Sequence, residues 1–187
     1  MIHLKTRAEM EAIARAGEIL ARLFAELPKQ VRPGVSTAAL DEFADEFIRS
    51  HPGATPAFKG LYGFPANTCI SVNEEVVHGI PKASRVLAEG DLVSVDVGVR
   101  LDGWFADAAV TLPVGEVDAE ARRLLETTRA ALEAGIAQAV PGRHLGDIGH
   151  AIQKTVEEAG FGVVRDLVGH GIGRAPHEEP QVPNYGR

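Results

Sequence analysis

The side chains best placed to do chemistry are the carboxylates of Asp96 and Asp107, both inside residues 92–112, LVSVDVGVRLDGWFADAAVTL. Val93, Val95, Val97 and Val99 alternate with Leu92, Ser94, Asp96 and Gly98, which is the period of a strand buried on one face. Asp102-Gly103 then signals a hairpin turn before a second β-type run. If Arg100-Leu101-Asp102-Gly103 all lie in the loop, Asp96 faces Asp107; if only Asp102-Gly103 turn, Asp96 faces Ala109 and Asp107 is diagonal to it. Either register puts both carboxylates on one face. Directly opposed side chains have Cβ atoms about 5 Å apart, and like charges there repel. Relief comes from a proton kept by one carboxylate or from a cation between them. The plain alternative is an Asp turned to water across the sheet edge, but the small Gly98 and Ala109 on the same face leave room for an ion. Oxygen donors suit Mg, Ca or Mn, and an added imidazole widens the choice to Zn, Fe or Co.

Three histidines could add that imidazole or act on a substrate. His170 sits in Gly169-His170-Gly171-Ile172-Gly173, after a short strand expected over residues 163–168, and its flanking glycines allow close approach of backbone or ligand. His177 follows in PHEEP, at a spacing that fits neither a zinc finger nor HExxH. His78 stands in VVHGIP, near the end of a return strand expected over residues 76–80, paired with residues 68–72 through Asn73-Glu74-Glu75. Cys69, in an apolar β-run without a partner cysteine, reads as a small pocket hydrophobe rather than a nucleophile.

Helices must position these runs. Thr6 and Glu9 form a capping box ahead of a helix with Met10, Ile13, Gly17, Leu20, Phe24 and Leu27 on its apolar side, which Pro28 stops. Ser36 or Thr37 caps a second helix carrying Leu40, Phe43, Ala44, Phe47 and Ile48, closed by His51-Pro52-Gly53 with His51 in solvent. Residues 53–67 hold too much Gly and Pro for a regular element and read as a loop rimming a site. After the hairpin come a helix over residues 118–140 (Leu124, Leu125, Leu132, Ile136), a Pro141-Gly142 turn, and a helix over residues 146–159. Sliding Pro33-Gly34 onto Pro141-Gly142 also brings Leu40 onto Ile148, Ala44 onto Ile152 and Ile48 onto Val156. This is the mark of an internal duplication, two helix-pair-plus-hairpin halves. The counterpart of residues 92–112 would fall past Arg187, so the second half is incomplete.

With 187 residues, 45% apolar and 24% charged, the chain is expected to form one globular domain, residues 1–187. A net charge of -7 and scattered Lys and Arg leave no footprint for nucleic acid. A single cysteine excludes an internal disulfide. A charged N-terminus and the lack of an apolar run near ~20 residues point to a cytoplasmic protein away from the membrane.

LKTRAEMEAIARAG, FPANTCISVNEEVVHGIP, SVDVGVRLDGWFADAAVT and GHGIGRAPHEEPQVPNYG, in this order over essentially the whole chain, resemble the bacterial (type I) methionine aminopeptidases. The resemblance implies an α+β pita-bread fold with a pseudo-two-fold duplication. It also implies removal of the N-terminal methionine from nascent proteins and peptides with a small second residue, by a protein that is monomeric at full length. Asp96, Asp107 and His170 would hold two divalent ions (Co, Mn, Fe or Zn), with Asp107 bridging. His78 and His177 would contact substrate and steady the tetrahedral intermediate, and Phe64 and Cys69 would line the methionine pocket. The chain departs from the family at Pro176, where a larger apolar residue is usual. Family chains also run on to two further glutamate ligands, one of them the general base, so this chain is expected to be truncated and inactive as it stands. Two rivals are a proline-specific dipeptidase or aminopeptidase of the same fold and a non-catalytic peptide-binding module. NTCISVNEEVVHGIP and the short N-terminus disfavour the first, and the retained Asp96, Asp107 and His170 disfavour the second.

Overall fold

A computed structural model describes every residue, Met1–Arg187. Its elements run α1 (Arg7–Glu26), α2 (Thr37–Arg49), β1 (Ala54–Pro56), β2 (Thr68–Val72), β3 (Leu92–Leu101), β4 (Trp104–Pro113), α3 (Ala119–Gln138), α4 (Leu145–Glu158), β5 (Gly169–Gly171) and β6 (Glu178–Val182). They form two compact units. One comprises His3–Val117 with Ile172–Pro176, the other Met1–Ile2, Asp118–Gly171 and His177–Arg187. No helix is long and apolar enough to cross a membrane.

In the first unit β3 is the organising strand. One of its edges pairs antiparallel with β2 and then β1, the other with β4 along its whole length. Val93, Val95, Val97 and Val99 are fully buried, each stabilising the fold by about 2 kcal/mol relative to exposure. Helix α1 packs on β3 and β4, and α2 on β1 and β2. Asp102 and Gly103 have φ of 51° and 79°, the left-handed pair of a two-residue hairpin loop. That turn selects the register in which Asp96 faces Ala109 and Gly98 faces Asp107.

The helix caps are as read: the Glu9 amide bonds Thr6 Oγ1, Glu9 Oε2 accepts from the Thr6 amide, and Ser36 Oγ accepts from the Ala39 amide. Other expectations are corrected. The buried face of α1 is Ala12, Ala16, Ile19, Leu20 and Leu23, while Met10 is 55% exposed, because alanines let the helix axis come close to the sheet. His51 is not simply solvated: its Nδ1 donates to the Phe47 carbonyl at 2.9 Å and its ring lies against Phe47. Residues 53–67 contain β1 and a short 3-10 turn, Leu61–Gly63, since β3 extends beyond β2 and offers β1 an unpaired edge. Residues 76–80 double back beside β2 without becoming a strand. The Ile70 amide bonds Gly79 O and the Gly79 amide bonds Ser71 Oγ, but His78 has a φ of 61° that breaks any extended run.

The helix pair of the second unit matches that of the first in length: α3 and α1 are both 20 residues long, and α4 and α2 are 14 and 13. Small residues carry the α3–α4 contact: a Cβ on Gly135 would come within 2.8 Å of Ile152. The expected apolar stripe of α3 is therefore not its buried face, and Leu132 and Ile136 are 57% and 62% exposed. The strand expected over residues 163–168 falls instead on β5, because only there does a partner exist, the antiparallel β6.

Candidate metal and substrate site

Three predicted residues share one face of the sheet in the first unit. Cys69 of β2 is directly opposite Asp96 of β3, which is opposite Ala109 of β4, and Asp107 is one diagonal step away, opposite Gly98. Period-two alternation turns this polar face away from the valines of the core. Asp96 and Asp107 are both half-buried. The room expected over Gly98 is filled: a Cβ there would come within 2.5 Å of the Phe58 ring and 2.9 Å of Ala57. Space on this face remains over the exposed Ala109. Burial, and after it the charges of Asp96 and Asp41, push the Cys69 thiol up to about 12, so it stays protonated and non-nucleophilic at neutral pH.

Asp41 is a residue that sequence reading missed. Projecting from α2, its carboxylate accepts from the amides of Asn67 and Thr68, from Asn67 Nδ2 and from Thr68 Oγ1, at 2.7–3.1 Å. It thereby fixes the start of β2 and the position of Cys69. The available signal was an acid beside Leu40 at the edge of a helix's apolar face. Phe64 is half-buried at the end of the 3-10 turn, where its carbonyl accepts from the Gly60 amide. His78 stands apart on an exposed loop with Val76 and Val77, in a conformation disfavoured for a residue with a Cβ.

In the second unit β5 and β6 bring two histidines together. The rings of His170 and His177 are 4.4 Å apart between centroids and line an open hollow of about 400 Å³ with Glu178 and Glu179. The glycines around His170 serve the backbone: a Cβ on Gly171 would meet the Glu179 carbonyl oxygen at 2.5 Å, and one on Gly169 that of Val182 at 3.1 Å. His170 Nδ1 lies 2.9 Å from the Gly171 carbonyl. A carbonyl only accepts, so Nδ1 carries the proton and the neutral ring has its lone pair on Nε2, the tautomer of a metal-ligating imidazole. No group of three or more His, Cys, Asp or Glu is disposed to hold a metal ion. The donors nevertheless suit a divalent ion in kind: two carboxylates on one face and an imidazole whose tautomer is fixed.

The model of metallopeptidase family M24 matches residues 11–187. The methionine aminopeptidase of Clostridium acetobutylicum is 50% identical over the whole chain, which spans 74% of that protein's length. The crystal structure of methionine aminopeptidase from Thermotoga maritima superposes with a TM-score of 0.96 at 47% identity, covering all of this chain and 75% of the other. Prolidase from Pyrococcus furiosus, at 23% identity and a TM-score of 0.85 over 98% of this chain and 52% of its own, shares the fold alone. The fold is the pita-bread fold, and the chain belongs to metallopeptidase family M24, among its methionine aminopeptidases.

Proposed function

We propose that the protein is a metal-dependent aminopeptidase that removes the N-terminal methionine from nascent proteins and peptides with a small second residue, in the cytoplasm. The observation that carries the reading is the Cys69-Asp96-Asp107 face of the sheet, lying within a chain half-identical to methionine aminopeptidases. Asp96, Asp107 and His170 are the residues that would hold two divalent ions. Such ions supply Lewis-acid activation of a water and of the scissile carbonyl. The remaining chemistry belongs to the chain. The Nδ1 bond to Gly171 O orients His170 and fixes which nitrogen it offers. His177, beside it, and His78, on its own loop, serve as hydrogen-bond donors to the oxygen that gains charge as the peptide carbonyl becomes tetrahedral. Cys69, held neutral, and Phe64 give the methionine side chain a soft apolar wall.

The test uses the protein expressed from its complete reading frame. Met-Ala-Ser should be cleaved faster than a peptide whose non-Met first residue precedes proline, and Asp107→Ala should weaken Mn²⁺ binding in isothermal titration. Faster cleavage of the proline peptide, or equal Mn²⁺ affinity in wild type and variant, would overturn the reading.

A further inference from the structure

The segment Ile172–Pro176 is clamped to the hairpin at the start of β4. The guanidinium carbon of Arg174 lies 4.0 Å from the centroid of the Trp104 ring, and Trp104 is only 6% exposed. One residue on, the Phe105 amide donates to the Gly173 carbonyl at 2.9 Å, and the Gly173 amide donates to Ala175 O at 3.2 Å, curling the segment against the strand. A Cβ on Gly103 would stand 2.9 Å from Arg174 Nη1, so the turn residue that the hairpin needs for its positive φ also leaves room for the guanidinium. A planar guanidinium covers an indole face by stacking and cation–π attraction, which a lysine ammonium reproduces only as a point charge.

The same segment joins the two histidines. His177 directly follows Pro176 and His170 lies two residues before Ile172, while Ile172–Pro176 itself packs in the unit of the Asp-bearing hairpin. We infer that Arg174 is a positioning residue: by stacking on Trp104 it fixes Ile172–Pro176 to the strand that carries Asp107 and so holds the start of that strand in place. The inference rests on the metal reading above for its purpose, and on the Trp104 and Phe105 contacts for its geometry. Arg174 itself touches neither metal nor substrate in this assignment.

The test compares wild type, Arg174→Ala and Arg174→Lys by Mn²⁺ titration calorimetry, hydrogen exchange at the Phe105 amide, and acrylamide quenching of Trp104, the one tryptophan. In Arg174→Ala, exchange at Phe105 should accelerate about tenfold or more and quenching should rise, while amides in mid-strand, such as Val95 and Val110, keep their protection. Mn²⁺ affinity should fall by roughly tenfold, as for loss of an outer-shell support, with Arg174→Lys in between. Unchanged protection at Phe105, or an affinity loss that only tracks a general fall in melting temperature, would overturn the inference. If wild type and Asp107→Ala bound Mn²⁺ alike, the functional reading would fail separately. Arg174 would then be decided by exchange at Phe105 alone, accelerated exchange supporting the clamp and unchanged exchange refuting it.

Discussion

Cys69 shows how one side chain's chemistry is set by its neighbours. A thiol ionises near 9.0 in the ordinary state, and burial, with Asp96 opposite and Asp41 nearby, pushes it to about 12 in the fold. A raised acid pKa means that the neutral thiol's contribution to stability is whole below about pH 9 and is lost as pH rises toward the folded value. The difference in melting temperature between wild type and Cys69→Ala should therefore be constant near neutrality and shift against wild type above about pH 9. Native Cys69 should resist alkylation by iodoacetamide near neutral pH and react readily in denaturant. Rapid native labelling would show that the pocket face is open and the thiol activated.

At the scale of the element, the polar face of β3 and β4 depends on a missing side chain. Gly98 has Phe58 and Ala57 where a Cβ would go, and Gly98 is the direct cross-strand neighbour of Asp107. Gly98→Ala should displace the Phe58 ring and cost about 1–3 kcal/mol, the range for overpacking a filled site. Because the clash lies beside Asp107, Mn²⁺ affinity should drop together with the denaturation midpoint. A variant as stable as wild type would mean that Phe58 swings aside freely and does not bound the site. The hairpin turn illustrates a rule legible beforehand: Asp-Gly at the tip takes positive φ at both positions, which chooses the diagonal over the directly opposed arrangement of the two carboxylates.

Over the whole molecule the core is unevenly shared. The continuous hydrophobic cluster, from Ala16 through the β3 valines to Val114, lies entirely in the unit built on the sheet. In the other unit Ala131, Gly135 and Gly149 are the buried residues of α3 and α4, and Leu132, Ile136 and Val140 stay exposed. Local opening is governed by how much apolar contact must be broken. Amides of α3 and α4 should accordingly exchange faster than those of α1 and β3 in native-state hydrogen exchange. Equal protection throughout would mean that the chain opens only as a single cooperative block.

The sequence by itself determined the parts whose cause is local. Alternating valines and Asp102-Gly103 dictate the central hairpin and put Asp96 and Asp107 on one face; Thr6 with Glu9 and Ser36 start the first two helices. Long ordered motifs carried the family, the fold and the set of candidate ligands. Only the tertiary structure decided what depends on a distant partner. Residues 76–80 and 163–168 look like strands, yet neither becomes one. Glu178–Val182 looks unremarkable and pairs with β5. Asp41, Phe58 and Arg174 gain their roles from residues far along the chain, at Asn67 and Thr68, Gly98 and Trp104. Propensity and periodicity act over a few residues, whereas strand pairing, close packing and stacking are decided by whichever segment the fold brings alongside.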